Sequence, residues 1–283
     1  MRAKVQATLY RAAVYAGAAF SVGVLLLIVG YILIKGIPNL SPELFVWTYN
    51  SNNVSMMPAI INTLLMTLLS LLVCVPLGIG AAIWLTEYAP RGSKLLKLVR
   101  MTAETLSGIP SIIYGLFGSL FFVVALKMGL SLLSGALTLS IMVLPTIMRT
   151  TEEALLAVPD SYREGSFGLG ARRLRTTFKV VLPSAVPGIL SGVILAIGRI
   201  VGETAALIYT AGTVAKVPGG LLDSTRTLAV HMYTISTEGL YIGQSYATAV
   251  VLLVMVLLIN SLSALIAKKV GHSAAGKQEE KHP

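Results

Sequence analysis

Residues 157–183 read AVPDSYREGSFGLGARRLRTTFKVVLP, a polar and basic stretch set between two long apolar runs. Connections between helices usually take about 2–8 residues, so a connection of this length is expected to carry a helix of its own. Pro159 ends the preceding helix, and Ser161 and Glu164 have the spacing of a capping box, in which each side chain bonds to the other residue's backbone amide. Gly170 favours a helix stop. We therefore expect a short, capped surface helix between two apolar segments.

The composition of the whole chain points to lipid as the solvent of much of this fold. Its 283 residues are 55% hydrophobic and only 12% charged, with a mean hydropathy of +0.81. Soluble domains carry about 25% charged residues. Because a water-soluble fold could not cover so much apolar surface, we predict an all-α membrane protein.

Six apolar runs are long enough to cross a bilayer, whose core needs about 20 apolar residues as helix. They are 12–34, 59–86, 107–126, 130–148, 185–210 and 246–267. The third and fourth runs are separated only by 127–129, which predicts a tight helical hairpin. The first run is longer than the h-region of a signal peptide, about 7–15 residues, so we expect an uncleaved first helix.

The basic residues lie on alternate sides of these runs. The two termini and the connections 87–106 and 149–184 hold seventeen Lys and Arg residues, against four in the other connections. The positive-inside rule then places both termini in the cytoplasm, which requires an even number of spans. We expect a cytoplasmic N-terminus (1–11), a membrane domain (12–270) whose large cytoplasmic loop is 149–184, and a disordered tail (271–283).

The spacing within the large loop resembles the EAA loop of ABC importer permeases, E-A-A-x3-G-x9-I-x-L-P. The matching positions are Glu164, Gly165, Ser166, Gly170, Val180, Leu182 and Pro183. Gly165 and Ser166 replace the two alanines of that pattern, and Val180 replaces the isoleucine. In that family the loop forms a coupling helix that fits a groove of a cytoplasmic ATPase. The resemblance therefore implies that the segment from Ser161 to Pro183 contacts such a subunit, although Glu164 could also simply cap a surface helix.

The fifth run contains charged residues that a lipid-facing helix would not carry. Arg199 and Glu203 are four residues apart, which places them on one face of a continuous helix. Burying either one alone in hydrocarbon costs about 3 kcal/mol on insertion scales. From the residues alone, the pair is either a salt bridge within the bundle or an anion-handling arginine balanced by Glu203. An arginine suits a tetrahedral oxyanion because its planar fork donates two hydrogen bonds. Two Gly-x3-Gly pairs in the same run predict close helix packing.

Three stretches resemble phosphate ABC transporter permeases of the PstA type. They are AIWLTEYA at 82–89, LSGIPSIIYGLFG at 106–118 and GRIVGETA at 198–205. The resemblance extends over most of the chain, from about residue 57 to 267. It implies a six-helix bundle like that of type I ABC importers, which imports inorganic phosphate, with Arg199, Glu203 and Thr204 on the substrate pathway.

The same resemblance implies the partners. They are ATPase subunits, a second permease of the PstC type, an extracytoplasmic phosphate-binding protein, phosphate itself and the lipid of the cell inner membrane. The chain has no G-x-x-x-x-G-K-[ST] phosphate loop, so ATP hydrolysis is expected on a partner and this subunit is expected not to be an enzyme. One alternative is a permease for another oxyanion, sulfate or molybdate. The other is a stand-alone secondary transporter or channel, against which the docking-type loop and the lack of matched broken helices argue.

The remaining polar residues suggest no further chemistry. No two of the three histidines have metal-ligand spacing, so neither a metal site nor a cofactor is expected. The histidines are expected to be solvated; they are His231, His272 and His282. Three charged residues of the outer connection 211–245 are expected to be solvated or to contact a binding protein; they are Asp223, Arg226 and Glu238.

The topology can be tested by cysteine labelling in a Cys74→Ser background, because Cys74 is the single cysteine of the chain. A cysteine replacing Ala275 should react only with reagent that reaches the cytoplasmic side. A cysteine placed between Lys216 and Tyr246 should react from outside. Labelling of position 275 from the outside alone would rule out the six-span arrangement.

Overall fold

The computed structural model describes the backbone of residues 2–90 and 92–279, and the side chains of residues 6, 10–90 and 92–269. The predicted cytoplasmic positions Arg91 and Lys281 and the predicted solvated His282 lie outside the described residues, as does the side chain of His272. In the part that is described, all regular structure is helical and no strand occurs. The predicted all-α class is therefore confirmed.

Eleven α-helices make up the described part of the chain, joined by short 3₁₀ and π-helical turns. They are α1 (Arg2–Gly36), α2 (Met57–Ile83), α3 (Lys94–Ser107), α4 (Ser111–Gly118), α5 (Leu132–Leu156), α6 (Asp160–Gly168), α7 (Arg173–Thr176), α8 (Leu182–Val201), α9 (Ala205–Thr210), α10 (Leu228–Glu238) and α11 (Ile242–Glu279). The last helix is described as far as Glu279, into the segment that the sequence predicts to be a disordered tail.

Five stretches of helix are long and apolar enough to cross a membrane, and a bent helix pair makes a sixth if it is counted as one span. The five are Tyr10–Asn39, Met57–Tyr88, Leu132–Leu156, Arg173–Val201 and Ile242–Lys269. The bent pair is α3 with Ser111–Ala125, at an angle of 103°. Pro110 stands at the N-cap of α4, where it cannot continue the preceding helix. The count of about six spans agrees with the sequence, and the tight hairpin before α5 is present.

The predicted boundaries need three corrections. The connection 87–106 is mostly the amphipathic helix α3 and not a loop. The fourth span continues beyond its predicted end at residue 148 to Leu156, and Pro145 lies inside α5. The fifth run is not one helix, because α8 ends at Val201 and α9 begins at Ala205.

Helix α5 is the centre of the bundle. It is 67% buried over its most apolar window, whereas the corresponding window of α1 is 0% buried. Helices α2 and α8 pack against it. The buried hydroxyl of Ser140 in α5 donates to the carbonyl of Ser70 in α2, at 3.0 Å. Polar contacts of this kind join helices in lipid, where apolar surface alone supplies no preference for protein over lipid.

Glycines set the distance between α8 and α5, as the spacing predicts. A Cβ atom at Gly188 would lie 2.6 Å from the Cβ of Ala154, and one at Gly192 would lie 2.7 Å from the Cβ of Thr150. The second glycine pair does not pack in this way. A Cβ at Gly198 would have its nearest neighbour 3.7 Å away, at the Asn260 amide of α11.

Two residues expected in solvent are buried. His231 is 0% exposed and Arg226 is 3% exposed, because α10 folds back against α2 and α11. The expectation of solvated side chains at these positions is therefore wrong. Asp223 and Glu238 are exposed.

Candidate functional site

The short helix predicted within the basic loop is α6. Its N-cap is Pro159, and no side chain caps it. The predicted capping box is therefore wrong, because the helix begins at Asp160 and leaves Ser161 inside its first turn, where Ser161 cannot act as the cap. The helix stop is as predicted: Gly170 has φ +81°, and its amide donates to the carbonyl of Phe167 at 2.8 Å. Glycine is favoured there because that conformation is strained for other residues.

Arg163 fastens α6 to the rest of the bundle. Its Nη2 lies 2.8 Å from Oε1 of Glu87, a buried carboxylate in the π-helical turn that ends α2. The same guanidinium donates to the carbonyls of Leu155 and Val158, at 2.9 and 2.8 Å, at the end of α5. No local sequence pattern assigns a role to Arg163 or Glu87. An arginine one residue before the loop's glutamate was the only available signal, and its partner lies 76 residues away.

Several apolar side chains of this loop are exposed. Leu169, just after α6, is 92% exposed, and Tyr162 and Phe167 are exposed as well. Of the predicted contact residues, Ser161, Glu164 and Gly165 are exposed, and the Ser166 hydroxyl lies 2.9 Å from that of Thr176. A Cβ at Gly165 would meet no atom within 4 Å, so the family's alanine would fit there. The remaining predicted positions, Leu182 and Pro183, are the first two residues of α8. They directly follow the π-helical turn Thr177–Val181.

Arg199 lies near the end of α8, half-buried, on a cleft of about 600 Å³. The cleft is lined by Thr146, Ser191, Ile194, Leu195, Gly198, Arg199 and Asn260. Arg199 makes no hydrogen bond or ion pair with any residue that the structure describes. Asn260 adds a buried Oδ1 without a partner. The sequence signal for this residue is a polar asparagine within the apolar run 246–267.

Glu203 does not pair with Arg199, and this overturns the expectation of a shared helix face. Because α8 ends at Val201, Glu203 lies in the break before α9, 8% exposed, and its Oε1 accepts from the amide of Ala206 at 3.1 Å. Gly202 is a poor helix former, and a carboxylate that bonds a nearby amide competes with helix continuation. Thr204 is half-buried in the same break, with its hydroxyl 3.4 Å from the carbonyl of Gly202.

A second cleft, of about 420 Å³, continues from the first toward the α6 end of α5. The two clefts share Thr146 and Leu195. Its walls carry two arginine–glutamate pairs. Arg149 lies 3.0 Å from Glu153, and Nε of Arg100 donates to Glu152 at 2.7 Å. Arg100, one of the basic residues of the connection 87–106, is thus paired with a carboxylate.

Comparisons with known proteins show the family to which this chain belongs. The family described as binding-protein-dependent transport system inner membrane component matches residues 74–272. The probable ABC transporter permease protein YqgI of Bacillus subtilis is 35% identical over 239 residues, which cover 79% of this chain and 81% of the relative. The phosphate transport system permease protein PstA 2 of Mycobacterium bovis is 35% identical over 236 residues, which cover 82% and 78%.

A solved bacterial alginate ABC transporter, in complex with its alginate pentasaccharide-bound periplasmic protein, shares the fold. The TM-score is 0.69 at 16% identity, over 91% of this chain and 95% of that one. The architecture is thus that of an ABC importer permease, a multi-pass protein of the inner membrane. This chain belongs to the family of binding-protein-dependent transport system inner membrane components. Permeases of ABC importers work with an ATPase and a substrate-binding protein.

The contact between Arg163 and Glu87 predicts which variants loosen α6. Arg163→Ala leaves a buried carboxylate and two carbonyls without their donor, and removing one partner of a buried pair costs about 3–5 kcal/mol. Glu87→Gln should cost less, since a neutral amide still accepts a hydrogen bond. We expect hydrogen exchange of residues 158–170 to accelerate strongly in Arg163→Ala. The control is Arg172→Ala, which removes an exposed arginine of the same loop. Equal exchange in the two alanine variants would show that Arg163 does not hold the helix.

Proposed function

We propose that this chain is the permease subunit of an ATP-driven importer of inorganic phosphate and forms half of its translocation pathway. The observation that carries the proposal is Arg199, a half-buried guanidinium on a cleft between apolar helices, with no counter-charge among the described residues. Relatives named as phosphate transport permeases match about four fifths of the chain, which supports phosphate over other cargo.

The chemistry of the cleft suits a tetrahedral oxyanion. An unpaired guanidinium offers two parallel donors to such an anion. Ser191, Thr146 and Asn260 add polar atoms on the same walls. Glu203 is engaged by the amide of Ala206, so Arg199 is free for an anion, and Thr204 lies beside the break. Sulfate and molybdate share this geometry, and the names of the relatives are what favours phosphate.

Coupling to an ATPase would occur at α6 and the loop that follows it. A group of exposed apolar side chains outside the membrane indicates an interaction surface. Leu169, Phe167 and Tyr162 form such a group. The anchor at Arg163 would pass a displacement of α6 to both α2 and α5. Such docking would make the α6 end of the bundle the cytoplasmic end, with both termini inside the cell. ATP hydrolysis would then take place on the partner subunit.

The other partners follow from the class. A related second permease, of the PstC type, would complete the pathway, and an extracytoplasmic phosphate-binding protein would deliver the anion. The phosphate permease PstC of Mesorhizobium japonicum is itself 32% identical over 240 residues. This likeness supports a pair of similar subunits around one pathway.

Replacement of Arg199 tests the proposed pathway. Arg199→Gln should fold and assemble, since Gln is uncharged, yet lose two charge-assisted hydrogen bonds to the anion, about 1.5–3 kcal/mol each. Uptake of radiolabelled phosphate should fall at least about tenfold. Arg199→Lys should retain only part of the activity, since it keeps the charge without the fork. Lys127→Gln, the same charge change at an exposed position, is the control. Wild-type uptake by Arg199→Gln, at equal amounts of assembled transporter, would remove Arg199 from the pathway.

Replacement of Gly170 tests the docking. Gly170→Val puts a β-branched residue at φ +81°, a conformation that costs about 1–3 kcal/mol. We expect the variant to reach the membrane but to lose transport, while ATP hydrolysis by the complex no longer responds to substrate. Gly165→Ala is the matched control, because its Cβ meets no atom within 4 Å. Normal phosphate transport by Gly170→Val would contradict the docking role of this turn.

A further inference from the structure

A buried cation lies at the end of the bundle opposite α6. Arg226 directly precedes Thr227, the N-cap of α10. The side-chain amide of Asn62 in α2 donates to the carbonyl of Arg226 at 3.1 Å. Asn62 and Glu87 are the two ends of the same span, 25 positions apart. At 1.5 Å per residue this separation is roughly 37 Å, more than the thickness of a bilayer core. Arg226 is therefore remote from the coupling loop and on the other side of the membrane.

The guanidinium of Arg226 lacks the partners that burial demands. It is 3% exposed, and its Nε and Nη2 are buried without a hydrogen bond. None of the ion pairs among the described residues includes it. Asp223 bonds to the amides of Gly219 and Gly220 instead, at 2.8 and 2.9 Å. A buried charge of this kind is costly unless an opposite charge reaches it.

The two unpartnered nitrogens lie on one edge of the guanidinium, the edge that donates two parallel bonds to an oxyanion. Two nearby residues carry further buried oxygens without a partner: Oδ1 of Asn62, whose Nδ2 donates to the Arg226 carbonyl, and Oγ1 of Thr227, the next residue in the chain. His231 is also buried, close to Arg226 and to the backbone of Val54. The pKa of His231 is lowered to about 3, by burial first and by Arg226 second. The ring is thus neutral at physiological pH, with one donor and one acceptor. The N-terminus of α10 begins here and also favours negative charge.

We propose that Arg226, His231 and Asn62 form a binding site for a protonated tetrahedral oxyanion, hydrogenphosphate, at the extracytoplasmic end of this chain. This site rests on the proposed function and extends it. The anion binds here before it reaches Arg199. The Nε–Nη2 edge of Arg226 supplies the charge and two donors. The oxygen of Asn62 supplies an acceptor for the hydroxyl of the anion. Its orientation is fixed, because Nδ2 donates to the carbonyls of Lys216 and Arg226. Sulfate carries no proton at neutral pH and leaves that acceptor unpaired, so the site discriminates against it.

Tyr49 covers the site. Its ring centroid lies 4.6 Å from Cζ of Arg226 and 6.1 Å from the ring of His231, which it meets edge-on. It is the half-exposed member of a cluster that is otherwise buried. An anion arriving from this side reaches Arg226 when Tyr49 moves aside, and the cation–π contact holds the guanidinium while the site is empty.

The test is hydrogen exchange on the assembled transporter in nanodiscs, without the binding protein. Peptides covering 46–56 and 225–235 report on this site separately from any phosphate bound by the ATPase. We expect phosphate to slow exchange in both segments, sulfate to do so only at concentrations at least about tenfold higher, and chloride to have no effect. Arg226→Gln should abolish the effect of phosphate. Lys127→Gln, the same charge change at an exposed residue in the connection between the third and fourth apolar runs, should keep it.

Two further variants keep the result decisive. Arg226→Lys retains the buried charge if the Gln variant fails to assemble, and it should need at least about tenfold more phosphate, since it lacks the fork. Arg199→Gln should show wild-type protection at both segments despite its lost uptake. Full phosphate-dependent protection in Arg226→Gln, or none in the wild type, would overturn this site and leave the Arg199 pathway standing. Equal protection by sulfate and phosphate would overturn the role given to Asn62.

Discussion

A guanidinium or carboxylate that leaves water loses several kcal/mol of hydration unless an opposite charge or hydrogen bonds replace it. That cost governs the placement of charge in this bundle. Glu87 is buried at the end of α2 because Arg163 reaches it, and Arg163 in turn is held by two carbonyls at the end of α5. Glu203 is buried because the break between α8 and α9 gives it an amide. Each of these charges therefore fixes a piece of backbone.

Helix α2 connects the two ends of the molecule through such contacts. Near its start, Asn62 binds the loop that carries Lys216 and Arg226, and beyond its end Glu87 binds α6. Along its length it packs on α5, which is the most buried helix. A displacement of α6 must therefore move α2 and α5 together or break a buried ion pair. This gives a physical route by which a displacement of the proposed coupling loop can change the opposite end of the bundle, because packed helices move as units.

The sequence predicted the helices, the approximate spans and the special backbone at Gly170, because apolar runs of span length and a glycine after a helix are local signals. It did not predict the break at Gly202, because the contact between Glu203 and the Ala206 amide that favours this break is seen only in the fold. The buried states of Arg226 and His231 were missed for a similar reason: α10 returns to the bundle through contacts with α2 and α11 that no local pattern encodes. The predicted cap at Ser161 is wrong because Pro159 is the N-cap, so the helix begins before Ser161.

The arginines on the proposed route differ in whether a glutamate is paired with them. This difference bears on the direction in which an anion moves along the route. Arg199 has no partner among the described residues, whereas Arg149 and Arg100, farther toward α6, are each paired with a glutamate. An anion at Arg199 gains an unshared charge. An anion moving on to Arg149 or Arg100 must compete with Glu153 or Glu152, so it is held more weakly there. Conduction requires sites that bind strongly enough to admit an ion and weakly enough to release it. On the proposed route, Glu152 and Glu153 beside the arginines nearer to α6 would supply the weak end of that sequence.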